Sequence, residues 1–120
     1  MLIQRRRGGE ENAGPAVASL MPRPRSVHDL WVEYQFGTGG RKPARSFTAE
    51  ERGKVKSVYS FRRPLWEKVD ELVRTGRSAH VACDMIYQAY GQDATVTAIL
   101  RQMKKDRRTG WPPVLRVLYQ

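Results

Sequence analysis

Four glycines, Gly37, Gly76, Gly91 and Gly110, each follow an apolar stripe with helical spacing. Glycine closes a helix by entering the left-handed conformation without steric cost. A chain punctuated in this way is directed toward several short helices and away from long strands. The first stripe is Val27, Leu30, Trp31 and Tyr34, with Ser26 as the cap and Asp29 in the capping-box position. The clearest stripe is Leu65, Trp66, Val69, Leu72 and Val73 before Gly76. The next helix runs from its Ser78 cap to Tyr90, with Val81, Ala82, Met85, Ile86, Ala89 and Tyr90 on one face. Val96, Ile99, Leu100 and Met103 line the last one, Thr95 to Arg108, which Asp93 or Thr95 can cap.

Between the first two stripes, Thr48-Ala49-Glu50-Glu51 opens a further, basic helix to about Tyr59. Gly53 weakens it by about 1 kcal/mol relative to alanine. Pro64 predicts a helix boundary: the residue before proline avoids the helical region, and proline suits the first helical position. After Gly110, Trp111-Pro112-Pro113 stops the last helix, and Val114, Leu115, Val117, Leu118 and Tyr119 are expected to dock as a short helix or strand. The expected fold is a small all-α domain of four to six helices, with a disordered basic arm over residues 1–25 and the helical domain over 26–120. A chain of 120 residues suits one such core.

The chain carries 22 Lys+Arg against 12 Asp+Glu, a net charge of +10. That charge is segregated: residues 41–63 carry +6 and residues 101–108 carry +4, while residues 64–100 between them carry −2. Two basic blocks around a near-neutral middle favour a nucleic-acid partner over a uniformly cationic surface. In the last helix, Arg101, Lys104, Lys105 and Arg108 fall on a face about 80° to 180° round from Val96, away from the apolar stripe. The arm adds Arg5-Arg6-Arg7 and Arg23-Pro24-Arg25, which can touch phosphates or serve as an import signal. No apolar run is long enough to span a bilayer, and no membrane partner is expected.

Helix 78–90, the short link Gly91-Gln92-Asp93-Ala94 and helix 95–108 form a helix–turn–helix pattern. In that motif the second helix enters the major groove, and here the second helix is the basic one. The loop Gly37 to Ser46, GTGGRKPARS, is basic and glycine-rich but lacks the spacing of a nucleotide-binding P-loop. The only cysteine, Cys83, is read as a packed residue, since neither histidine is placed by sequence to act as its base. His28 and His80 stand alone, so no metal, cofactor, catalytic residue or small-molecule substrate is expected.

Three stretches carry a family resemblance: Val27-His28-Asp29-Leu30-Trp31-Val32-Glu33-Tyr34 with Gly37, Tyr59-Ser60-Phe61-Arg62-Arg63-Pro64-Leu65-Trp66, and the Ser78–Tyr90 and Thr95–Leu100 helices. Over about residues 26–109 this resembles the C-terminal DNA-binding domain of the fungal transcriptional activator of glycolytic genes. Similar domains accompany Crypton-type recombinases. The family's Trp-Arg pair is replaced by Glu51-Arg52-Gly53-Lys54, leaving Arg52 in the basic role without the tryptophan. The resemblance implies Trp31 and Tyr34 as core, and Arg62 and Arg63 as phosphate or base contacts.

The expected partner is double-stranded DNA, in the nucleus if the chain is eukaryotic. Phosphate contacts are expected from Arg41, Lys42, Arg45, Arg52, Lys54, Lys56, Lys104 and Lys105, with Arg108 also counted among the DNA-binding residues. Base contacts are expected from Thr95, Thr97 and Arg101, or from Arg62 and Arg63, because arginine reads guanine edges bidentately. An RNA partner fits the charge equally well, and an acidic protein partner of a mobile element or virus is a further alternative.

Overall fold

The computed structural model describes residues 16–117. Among these residues the chain forms five α-helices and no strand. They are α1 (Val27–Gln35), α2 (Ala49–Lys54), α3 (Lys56–Arg74), α4 (Ala79–Tyr90) and α5 (Val96–Thr109). Short 3-10 turns at Ala44–Ser46 and Pro113–Leu115 complete the framework. The all-α expectation is met. Three of the four expected stripes form their helices, each with the expected cap: Ser26 accepts from the Asp29 N–H, Ser78 from Val81 and Thr95 from Ala98.

The central element differs from expectation. Instead of a break at Pro64, α3 runs unbroken from Lys56 to Arg74 with Pro64 inside it. The break lies at Val55, the one residue between α2 and α3 (φ −124°, ψ 30°), so the capping-box helix lasts only six residues. A proline inside a helix costs about 3 kcal/mol. Leu65, Val69 and Leu72 are each at most 1% exposed, and burying such a side chain returns about 1.5–3 kcal/mol apiece. The packed stripe outweighs the lost hydrogen bond, and the proline ring is itself buried in it.

α1, α4 and α5 all pack on α3. Trp66, fully buried, donates its indole N–H to the Leu30 carbonyl at 2.9 Å and locks α1 across α3. Around it the rings of Tyr34 and Tyr59 stack and meet edge-on at 5.4 and 5.0 Å. Trp31 is 4% exposed and Tyr34 packs against the same cluster, so both belong to the core. Cys83 is buried in the core, and burial pushes its thiol up to about 11. The tail is held by Lys68, whose ammonium donates to the Leu115 carbonyl at 3.1 Å and sits 4.6 Å over the Trp111 ring. Leu118 and Tyr119 lie outside the described residues, as do residues 1–15 with Arg5-Arg6-Arg7.

Residues 17–21, expected to belong to the arm, are fixed on the domain. The Val17 N–H donates to the Gly40 carbonyl at 3.0 Å, and the Lys42 N–H donates back to Val17 at 2.8 Å. Further on, Met21 is gripped by a buried ion pair. Its N–H donates to Glu33 Oε2 at 2.6 Å, and its carbonyl accepts from Arg62 Nη2 at 2.7 Å. Arg62 Nη1 lies 2.9 and 2.8 Å from the two Glu33 oxygens. Burial raises the Glu33 carboxyl above its ordinary value, opposed by the Met21 N–H and by the Arg62 charge.

Two predictions follow from these contacts. Arg62→Met alone strands an ionised carboxylate and is expected to cost about 3–5 kcal/mol in denaturant unfolding, whereas the pair Glu33→Leu/Arg62→Met recovers most of it. Gly37 (φ +81°) has no room for a Cβ, which would lie 2.2 Å from the Arg41 carbonyl oxygen. Gly37→Ala is therefore expected to destabilise by about 2 kcal/mol or more. Gly40→Ala, with a similar φ and open space around it, should cost about 1 kcal/mol in the same assay.

Candidate nucleic-acid interface

α5 presents the basic face that its sequence implies. Ile99, Leu100 and Met103 are buried, while Thr97, Arg101, Lys104, Lys105 and Arg108 are exposed. The helix has one carboxylate, Asp106, and it is turned inward. It accepts from the Tyr90 hydroxyl at 2.8 Å and from the Gln102 amide at 3.0 Å. Burial and this bond together raise the Tyr90 hydroxyl above its ordinary value, keeping it a neutral donor. Arg101, Lys104, Lys105 and Arg108 have no ion-pair partner among the described residues. Their charge is therefore uncompensated toward solvent.

α5 follows α4 through the Gly91–Thr95 turn and is tied to it by the Tyr90–Asp106 bond. Its most extensive packing is on α3. A groove of about 1030 Å³ lies between residues 22–24, the first turns of α3 and the stretch of α5 from Val96 to Lys104. Lys56, Ser57 and Ser60 come from α3, Thr97 and Lys104 from α5, and Val58, Phe61, Val96 and Leu100 form the apolar lining. No carboxylate lines the groove. Members of the two basic blocks, Lys56 and Lys104, thus meet on one surface. Lys54 lies beside it, in an adjoining depression shared with Lys56.

The remaining expected contacts separate into different settings. Arg62 is 6% exposed; it contributes to the lining of the groove, but its guanidinium is already taken up by Glu33 and the Met21 carbonyl. Arg63 is exposed but held by Glu67 at 2.8 Å, which also binds Arg107 at 2.9 Å. Lys42 pairs with Glu51 at 2.7 Å. The Arg52 side chain donates to the Phe47 carbonyl at 2.8 Å, and that of Arg41 to Thr38 at 3.3 Å. Arg45 projects from the Ala44–Ser46 turn with no ion pair among the described residues. The Thr95 hydroxyl is occupied as the α5 cap.

The sequence did hold a signal for Arg62. It lies three and four residues before Leu65 and Trp66, on the buried stripe of α3 once the helix continues through Pro64. Placing the boundary at Pro64 removed that register and made Arg62 look like a surface residue. Glu33, its partner, sits beside Leu30 and Tyr34 on α1 and is 2% exposed.

The family model described as transcriptional activator of glycolytic enzymes matches residues 19–89, from Ser19 before α1 almost to the end of α4. α5 lies beyond the matched stretch. No curated protein and no solved structure matches the chain. The chain belongs to the family of the transcriptional activator of glycolytic enzymes, a family of transcription regulators.

Proposed function

We propose that this domain binds double-stranded DNA as the DNA-contacting module of a transcription regulator, acting in the nucleus of a eukaryotic cell. The carrying observation is the outer face of α5: Arg101, Lys104, Lys105 and Arg108 lack counter-charges among the described residues, while Asp106 is buried. Clustered cations of this kind neutralise phosphates and release condensed counterions. α5 is the helix that enters the major groove, with Thr97 and Arg101 toward the base edges and Lys104 and Lys105 on the backbone. Lys56, on the facing helix, reaches a further phosphate across the groove.

Duplex DNA is favoured over single-stranded RNA by the aromatic residues. Single-strand readers stack bases on exposed rings. Here Trp31, Phe47 and Trp66 are buried and Tyr34 and Tyr59 half-buried, all packed on one another. Phe36, 68% accessible, lies at the C-terminal end of α1 and off the groove, and Phe61, the ring that does line the groove, is half-buried against the core.

A salt titration of duplex binding tests the reading. The logarithm of the binding constant is expected to fall with the logarithm of salt by about 0.9 per phosphate contacted. Lys104→Ala/Lys105→Ala should lower the slope by about 1.8 and weaken binding to all duplexes alike. Arg101→Ala should also reduce discrimination between sites by about 1–3 kcal/mol. A salt-independent affinity, or an unchanged slope on losing both lysines, refutes the phosphate contacts. Stronger competition by RNA than by duplex DNA assigns the surface to RNA, and negligible binding to either at low salt points to an acidic protein partner.

A further inference from the structure

The segment before α1 is held with more hydrogen bonds than a passive leader needs. Its backbone is fixed at Val17 by the Gly40–Lys42 loop and at Met21 by the Glu33–Arg62 pair. The clamp at Met21 takes both the N–H and the C=O of one residue, so it sets the path of the main chain whatever the side chain. Pro22 and Pro24 follow on either side of Arg23. Each proline fixes its own φ near −65° and pushes the residue before it into extended backbone. The backbone bends at Pro22 and Arg23, and the two prolines limit how far that bend can open.

Arg23 arrives on the wall of the groove that holds Lys56 and Lys104. It is exposed and has no hydrogen-bond or ion-pair partner among the described residues. We propose that residues 17–25 form a fixed strap of the DNA-binding surface, with Arg23 as a phosphate contact and Glu33 and Arg62 as the residues that position it. The inference rests on the DNA-binding reading above. It assigns to the site an arginine outside both basic blocks. It also gives the buried ion pair a part in binding in addition to its part in the fold. Because the strap is ordered beforehand, Arg23 reaches its phosphate without the entropic cost of ordering a free arm.

Duplex affinity and its salt slope, measured on the full chain, decide the matter. Arg23→Ala is expected to weaken binding about five- to tenfold and to lower the slope by about 0.9, one phosphate. Arg77→Ala removes the same charge from the α3–α4 turn, outside the groove, and should leave both quantities close to the parent. Pro22→Gly/Pro24→Gly keeps every charge and the clamp while loosening Arg23, so it should lower affinity a few-fold at an unchanged slope. Glu33→Leu/Arg62→Met releases the strap and should weaken binding at least as much as the proline pair, and Arg23→Ala should cost less in that background than in the parent. A purely structural role for the ion pair would give additive losses instead. If that double variant does not fold, the arginine and proline variants decide alone. The strap is overturned if Arg23→Ala binds within twofold of the parent at the same slope, or loses no more than Arg77→Ala. A salt-independent parent, by contrast, removes the DNA-binding reading and the strap with it.

Discussion

The contact on which most of the structure depends is the buried pair of Glu33 and Arg62. It joins α1 to α3 in the core, and its spare hydrogen-bonding capacity fastens the chain before α1. Isolated from water, neither charge is tolerable without the other. Burial even lifts the Glu33 carboxyl above its ordinary value in spite of the adjacent guanidinium. Such a pair contributes little net stability over a well-packed apolar substitute, but it admits few geometries. The angle of α1 on α3 and the course of residues 17–21 are therefore specified together, by directional bonds, where apolar packing alone would permit some slippage.

Most of the fold was legible because helix signals are local. Ser26, Thr48, Ser78 and Thr95 each occupy the cap their sequence context implies, and the apolar stripes of α1 and α5 face the core, whereas α4 buries Ala82, Cys83 and Ile86 and leaves Val81 exposed. Local rules failed at Pro64 for a long-range reason. The cost of a proline in a helix is visible in sequence, but the burial that offsets it comes from α1, α4 and α5. The same misplacement concealed Arg62. An arginine on a buried stripe can be recognised only when its partner is known, and Glu33 lies 29 residues away.

At the candidate site the sequence located the cations but could not sort them. Arg63, Lys42 and Arg107 are matched by nearby carboxylates, whereas Lys56 and Lys104 are not. Pairings such as that of Arg107 with Glu67 join α5 to α3 and exist only in the folded chain. The sequence treated the two basic blocks as equivalent stretches of charge. Folding places Lys56 of one and Lys104 of the other on a single groove, and leaves Arg41, Lys42 and Arg45 off it.

The distribution of ion pairs along α3 has a kinetic consequence. Toward its C-terminal end, Glu67, Asp70 and Glu71 bind Arg107, Arg74 and Lys68, so charge there is largely cancelled at short range. At the opposite end, Lys56 faces Lys104 with no acid between them. A molecule charged so unevenly carries an electric dipole, and in the field of a polyanion it rotates before it makes contact. Encounters then begin with the groove side leading, which raises the productive association rate at low ionic strength. Over distances longer than the screening length, about 8 Å at physiological salt, that guidance fades and orientation is left to collision.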